Sequence, residues 1–163
     1  MKLWIMRHGD AGEVSDDPEK ERERPLTEEG EKTIEAIAKG MADADEVPNV
    51  IFASCFTRTQ QTGDIVGKAL EVPVDLLDEL APHLPLARWL MGLIQSEDLK
   101  RVMIVGHHDN LEPCFEELSD GQTPFEELAK GEVRRFDVDR DTGEWQEEWR
   151  LKPSDVGFED ELA

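Results

Sequence analysis

The sequence predicts an α/β domain, a three-layer αβα sandwich whose mostly parallel sheet has about six strands and carries helices on both faces. Two observations lead to this fold class. Short apolar runs rich in strand formers alternate with segments whose apolar residues recur every three or four positions. Near the end of the chain, two strand-like runs flank a turn, which predicts an antiparallel hairpin at the sheet edge. The chain length of 163 residues suits one domain.

The first four predicted strands are short and apolar, which is typical of parallel strands buried between two layers of helices. The last two carry more charge and enclose Asp141-Thr142-Gly143, a sequence suited to a hairpin turn. We expect strands at Lys2–Met6, Val50–Ala53, Val74–Leu77, Arg101–Val105, Glu132–Val138 and Trp145–Leu151.

Helices are expected between these strands. Thr27 is suited to cap the first one, whose apolar residues fall at spacings of three and four and so share one face. Those residues are Ile34, Ile37, Ala38 and Met41. Further helices are expected at Thr57–Leu70, Leu86–Ile94 and Leu111–Leu118.

Two segments are expected to lack regular structure. The acidic stretch Glu13–Arg24 is predicted to be one long loop directly after the first strand, and loops of that length often carry function. The domain is predicted to span residues 1–153, with a loose tail at 154–163 and no lid domain.

Composition restricts the partners. The net charge of −21 disfavours binding to nucleic acid and to anionic membranes, because both are negatively charged. Cys55 and Cys114 are too few for a disulfide framework, and we expect two reduced thiols. With no leader sequence and no apolar run near the roughly 20 residues that span a bilayer, a cytoplasmic protein is expected.

Three predicted strands end in residues that bind phosphate well. Arg7 and His8 follow the first strand, Arg58 comes soon after the second, and His107 follows the fourth. Ligands of open α/β sheets bind outside the carboxyl ends of the strands, so these side chains should meet at one edge. Two guanidiniums can clamp phosphoryl oxygens, and a neutral imidazole can attack phosphorus. This chemistry requires no metal and no cofactor.

Several motifs resemble those of the histidine phosphatase superfamily, in particular its small SixA-type branch of phosphohistidine phosphatases. The resemblance covers nearly the whole chain, from Met1 to about Pro153. The matching segments are Arg7-His8-Gly9, Arg24-Pro25-Leu26-Thr27-Glu28-Glu29-Gly30, the set Ser54, Arg58, Gln61 and Thr62, the run Val105-Gly106-His107 with Leu111-Glu112, and Lys130-Gly131-Glu132-Val133.

The resemblance implies a role for each central residue. His8 would be the nucleophile and form a phosphohistidine intermediate that water hydrolyses, while Arg7, Arg58 and His107 would hold the equatorial phosphoryl oxygens. The chain departs from the family pattern at three places, which leave room for an altered substrate preference. Cys55 replaces proline, Thr59 replaces alanine, and His108-Asp109-Asn110 replaces asparagine-proline-glycine.

Several other polar residues are expected near the predicted site. Glu79 is either a general acid or a solvated charge, and the sequence favours neither. Arg24 and His108 are candidates for the rim of the site, and His83 is expected to be a surface residue. Cys55 lacks the spacing to arginine of a cysteine phosphatase and is expected to be a packed residue.

A metal site is disfavoured at His107-His108-Asp109. Adjacent residues of an extended segment point to opposite sides, and no third ligand has a suitable spacing.

The stretch between Arg58 and His107 has room for one helix, one strand and one further helix, which leaves nothing to form a lid. An open, shallow pocket suits a phosphate displayed on a protein, so the predicted partner is a phosphorylated protein that carries phosphohistidine. Two alternatives stay open. One is a phosphomonoesterase that acts on a small phosphorylated metabolite, and the other is a non-catalytic pseudophosphatase that binds phosphoproteins.

Overall fold

The computed structural model of the chain describes residues 1–119 and 125–162. One six-stranded sheet has the order β3-β2-β4-β1-β5-β6. Strands β1 to β4 are parallel to one another, whereas β5 runs antiparallel to β1 and β6 runs antiparallel to β5. The predicted mostly parallel sheet is therefore confirmed. The strands are β1 (Lys2–Arg7), β2 (Val50–Ser54), β3 (Val74–Leu77), β4 (Arg101–Gly106), β5 (Val133–Val138) and β6 (Trp145–Leu151).

Helices cover both faces of the sheet, because successive side chains of a buried strand point to opposite sides. In β1, Leu3 and Ile5 pack in the same core as the apolar residues of α4 and α5, while Trp4 and Met6 pack with those of α2 and α3. The three-layer sandwich is confirmed. The helices are α1 (Pro18–Glu23), α2 (Glu28–Ala42), α3 (Thr57–Leu70), α4 (Ala87–Gln95) and α5 (His108–Leu118).

The prediction of a structureless loop at Glu13–Arg24 is wrong, because the stretch contains α1. The Asp17 carboxylate caps this helix by accepting hydrogen bonds from the backbone N–H groups of Glu19 (2.9 Å) and Lys20 (3.2 Å). Pro18, at the first helical position, has a backbone conformation suited to that place. None of the residues of α1 is buried, so the apolar periodicity that indicates a helix is missing.

Helix α5 begins at His108, before the predicted Leu111. Its first turn is polar, so apolar periodicity misses it. The turn is stabilised by Asn110, whose side-chain oxygen accepts a hydrogen bond from the His107 backbone N–H at 3.3 Å. The cap therefore places His107 at the junction between β4 and α5.

The segment after Pro153, expected to be loose, is held against the domain as far as Leu162. It forms a short 3-10 turn at Pro153–Val156, and the Glu161 carbonyl accepts a hydrogen bond from the Lys130 backbone N–H at 2.8 Å. The hydrogen bond between Lys130 and Glu161 joins main-chain groups far apart in sequence, so no local sequence pattern reveals it. Ala163, the last residue of the predicted tail, lies outside the described residues.

No helix within residues 1–119 and 125–162 combines the length and the apolar character that a bilayer crossing requires.

Candidate active site

The carboxyl ends of three neighbouring strands bring the predicted phosphate-binding residues together. Strand β4 lies between β1 and β2, and His8 and His107 directly follow β1 and β4. Arg58 lies in the first turn of α3, just after β2. These three residues and Arg7 line one cavity of about 790 Å³. The structure therefore brings together the four residues that the sequence places at the site.

The hydrogen bonding of His8 leaves one ring nitrogen free for attack. Nδ1 lies 2.7 Å from the Gly9 carbonyl oxygen, and because a carbonyl can only accept, Nδ1 carries the proton. The lone pair of the neutral ring is therefore on Nε2. Burial lowers the pKa of His8 to about 3, and the charges of Arg58 and Arg7 add to this effect against the opposing Gly9 contact. The ring is neutral near pH 7.

His107 faces His8 across the site, with 5.3 Å between the ring centroids. Its Nε2 lies 3.1 Å from the Ser54 hydroxyl oxygen, and its buried Nδ1 has no hydrogen-bond partner among the described residues. Burial lowers the pKa of His107 to about 2, helped by His8 and Arg58. Two neutral imidazoles therefore lie side by side.

The two arginines are buried and held by main-chain carbonyls. Arg7 Nη1 donates to the carbonyl oxygens of Leu128 (2.8 Å) and Leu162 (2.6 Å). Arg58 Nη1 donates to the Glu21 carbonyl oxygen at 2.8 Å. The Nε of each arginine is buried and lacks a partner in the part of the chain that the structure describes. Buried donors usually have acceptors, so these guanidiniums retain hydrogen-bonding capacity for an oxyanion.

Arg24 forms part of the cavity wall. It donates to the Ala11 and Gly12 carbonyl oxygens at 2.8 and 3.0 Å and pairs with the Glu21 carboxylate at 2.7 Å. Glu21 also lies 3.3 Å from Arg58 Nη2, so this one carboxylate of α1 contacts both Arg24 and Arg58. Burial opposes ionisation of Glu21, but the hydrogen bonds and charge of Arg24 lower its pKa overall. His108, the other predicted rim residue, also lines the cavity and is exposed.

The structure does not bring Glu79 into the site. This residue lies in the 3-10 turn Asp78–Leu80, is exposed, and is not part of the cavity lining. Cys55 also lies outside the cavity lining and is half-buried rather than packed in the core. Its thiol donates to Asp78 at 3.1 Å, and this contact is the main reason why the pKa of Cys55 is raised.

Several charged groups of the cavity were not predicted as site residues from the sequence, among them Asp10, Glu21, Asp109 and Lys130. Asp109 lines the cavity and lies 3.1 Å from His83, and Lys130 lines it and lies 3.2 Å from Asp10. The available signal for Asp109 was its place in the segment that departs from the family pattern. Within residues 1–119 and 125–162, no cluster of three or more histidine, cysteine or carboxylate side chains could hold a metal ion.

Comparison with known proteins assigns the family. The sequence profile of the histidine phosphatase superfamily (branch 1) matches residues 3–82. The chain is also 28% identical over 152 residues to the phosphohistidine phosphatase SixA of Escherichia coli strain K12, covering 90% of this chain and 92% of that protein. The chain belongs to branch 1 of the histidine phosphatase superfamily. It is therefore a phosphohydrolase of that family, as its motifs predicted.

Solved structures agree with this assignment. The protein histidine phosphatase SixA in complex with tungstate superposes with a TM-score of 0.82 and 25% identity, covering 96% of this chain and 99% of that one. A mycobacterial glucosyl-3-phosphoglycerate phosphatase shares the fold, with a TM-score of 0.67 and 15% identity over 91% of this chain and 97% of that one. The histidine phosphatase fold predicted from the sequence is confirmed.

Proposed function

We propose that this enzyme removes phosphoryl groups from phosphohistidine on proteins, through a phosphohistidine intermediate on His8. One observation carries the proposal. His8 is buried and neutral, its Nδ1 is held by the Gly9 carbonyl oxygen, and its Nε2 is free inside a cavity that two arginines also line. A fixed, unprotonated imidazole beside two cations suits attack on a phosphoryl group.

In the first step, His8 Nε2 attacks phosphorus and the bond from phosphorus to the substrate's leaving atom breaks. Arg7, Arg58 and His107 hold the phosphoryl oxygens, because all three line the cavity and each keeps a buried side-chain nitrogen without a hydrogen-bond partner among the described residues. The leaving imidazole of a phosphohistidine needs little help from an acid when its other nitrogen is already protonated. In the second step, water attacks phosphorus, the bond to Nε2 breaks, and inorganic phosphate leaves with His8 restored.

Two observations favour a protein substrate. SixA, the relative with 28% identity over most of the chain, is a phosphohistidine phosphatase. The stretch from α3 to β4 contains only β3, a 3-10 turn and α4 as regular elements, and offers no inserted domain to enclose a small molecule. The alternative of a small-molecule phosphomonoesterase rests on the shared fold of the mycobacterial sugar-phosphate enzyme. A phosphate-binding pseudophosphatase is disfavoured because the four central residues are present.

The test is a side-by-side assay of a phosphohistidine protein and a panel of sugar phosphates, with wild-type enzyme and His8→Ala. We expect the phosphohistidine protein to have the highest kcat/KM. Quenched and base-stabilised wild-type enzyme should carry an acid-labile phosphate that His8→Ala lacks. Faster turnover of a sugar phosphate would assign the enzyme to the phosphomonoesterases, and full activity of His8→Ala would refute the mechanism.

We also propose that catalysis needs neither metal nor cofactor, since arginine and histidine donors supply the positive groups that phosphoryl transfer requires. Prolonged chelation with EDTA should leave kcat unchanged. A loss that added zinc or magnesium restores would contradict this proposal.

A further inference from the structure

The side chains of His83 and Asp109 lie close together at the mouth of the cavity. His83 Nε2 lies 3.1 Å from Asp109 Oδ2, and both residues line the cavity that contains His8. The His83 side chain is 82% exposed and the Asp109 side chain 26% exposed, so the pair lies on the solvent side, whereas His8 and the arginines are buried.

The pair is fixed by a buried residue next to Asp109. The Asn110 side chain is 3% exposed and donates from Nδ2 to the carbonyl oxygens of Leu80 (3.0 Å) and Ala81 (2.8 Å). These bonds hold the turn that precedes His83 against the first turn of α5. His83 itself has a left-handed backbone conformation, with φ of 65°, which is uncommon outside glycine. The fold therefore holds the imidazole beside Asp109.

We propose that His83, oriented by Asp109, is the general base that deprotonates the water attacking phospho-His8, and the general acid when the substrate is a phosphoester. This assignment rests on the proposed His8 intermediate and adds the group that moves the proton. Glu79, the acid considered from the sequence, lies outside the cavity lining.

The proton transfers balance in both steps. The Asp109 carboxylate lies 3.1 Å from Nε2, and its negative charge favours the tautomer of neutral His83 that carries the proton on Nε2, which leaves the lone pair on Nδ1. In hydrolysis, the water oxygen bonds to phosphorus, the bond from phosphorus to His8 Nε2 breaks, and the water proton passes to His83 Nδ1. The resulting imidazolium is stabilised by the carboxylate. With an ester, protonated His83 gives that proton to the leaving oxygen while His8 attacks phosphorus.

Other groups of the cavity are less suited to this role. The Asp10 carboxylate accepts hydrogen bonds from Thr27 and Lys130, and Glu21 pairs with two arginines. His108 forms no ion pair within residues 1–119 and 125–162. His83 therefore combines access to solvent with a neighbouring carboxylate that can orient its ring.

The experiment follows phosphoenzyme formation and decay separately in His83→Asn and Asp109→Asn by rapid quench with p-nitrophenyl phosphate. This substrate has a good leaving group, so the first step needs no acid. We expect a burst of nitrophenol close to one per enzyme, accumulation of phospho-His8, and decay slowed about 10²-fold in His83→Asn. The double variant should be no slower than His83→Asn alone, because the pair acts as a unit. Asp98→Asn, an exposed carboxylate before β4, is the matched control and should behave as wild type.

Each contrary result has a distinct meaning. Unchanged decay in His83→Asn would overturn the assignment. Slower formation without accumulation would also overturn it, since that pattern indicates a structural defect. A phosphoenzyme that persists in His8→Ala would refute the proposed function itself, independently of His83.

Discussion

At the scale of single residues, the site depends on polar side chains that are buried and held in place by hydrogen bonds to main-chain carbonyl oxygens. Burial keeps His8 neutral, and the contact between Nδ1 and the Gly9 carbonyl oxygen leaves the lone pair of the ring on Nε2. Burial of the charged Arg7 and Arg58 side chains would destabilise the fold if main-chain carbonyl oxygens did not accept hydrogen bonds from their guanidiniums. Main-chain acceptors bring no full negative charge, whereas the Glu21 carboxylate, 3.3 Å from Arg58 Nη2, and the Glu127 carboxylate, 3.9 Å from Arg7 Nη1, offset part of the charge of each guanidinium.

We expect Arg58→Ala and Arg7→Ala each to reduce kcat/KM by about 10²- to 10³-fold, because each removes a fixed charge beside the transferring phosphoryl group. Arg88→Ala, which removes an exposed arginine of α4, is the control and should leave kcat/KM unchanged. Steady-state kinetics with one phosphohistidine substrate checks both variants. A reduction below tenfold at Arg58 and Arg7 would place the phosphate elsewhere.

The buried histidines also make stability depend on pH. Burial lowers the pKa values of His8 and His107 to about 3 and about 2, from an ordinary value of 6.5. Between pH 6.5 and those values the unfolded chain binds more protons than the folded one, so the free energy of unfolding decreases as pH falls. Each histidine contributes up to about 1.4 kcal/mol per pH unit.

Urea unfolding in phosphate-free buffer at pH 6.5, 6.0, 5.5 and 5.0 measures this dependence. His8→Asn should have a smaller slope than wild type. Equal slopes in the two proteins would show that His8 is protonated within the folded state.

At the scale of elements, two helices begin at the site. Helices α3 and α5 start at Thr57 and His108, immediately after strands whose ends form the cavity. Their amino-terminal ends carry partial positive charge from unpaired backbone N–H groups, which favours an anion there. The same junctions position Arg58 and His107, so local helix geometry and side-chain charge favour the same ligand.

Helix α2 packs closely against the chain after β1, and Gly30 permits this approach. A Cβ atom at Gly30 would lie 2.2 Å from the Asp10 carbonyl oxygen, a backbone atom that also accepts the Thr27 N–H. We expect Gly30→Ala to reduce the free energy of unfolding by about 1–3 kcal/mol through overpacking. Gly92→Ala in α4, where nothing lies within 4 Å, should increase it by about 0.5–1 kcal/mol. Urea unfolding measures the free energy of unfolding of both variants. A value for Gly30→Ala that is not lower than the value for Gly92→Ala would contradict the packing argument.

The sequence predicts elements well where their signals are local. Buried strands and α3 are marked by apolar runs and periodicity, and the predicted bounds of α3, β3 and β6 agree with the structure. Helix α1 was missed because its signal is a cap, Asp17 with Pro18, without an apolar face. The pairing of His83 with Asp109, and of Leu162 with Arg7, joins residues far apart in the chain. Only the folded sheet determines such contacts.

At the scale of the whole molecule, a site with two buried arginines lies within a strongly acidic protein. The chain has 39 aspartates and glutamates against 18 lysines and arginines, which gives a net charge of −21. Carboxylates of Asp10, Glu13 and Glu21 lie in the cavity wall itself. The substrate is an anion, so its approach is opposed by the distant charge even though Arg7 and Arg58 attract it at short range.

We therefore expect kcat/KM for a dianionic phosphate substrate to rise with salt between 0.01 M and 0.15 M. The Debye length shortens from about 30 Å to about 8 Å over this range, so salt screens the distant carboxylates while contacts inside the cavity persist. At higher salt, direct competition by anions should lower kcat/KM again.

A salt series with an anion that does not bind the site measures the curve, and a neutral viscogen at constant salt verifies that encounter limits the rate. A steady fall from the lowest salt upward would mean that the positive potential of Arg7, Arg58 and Arg24 extends through the cavity mouth and governs encounter, because focusing by the cleft then outweighs the net charge.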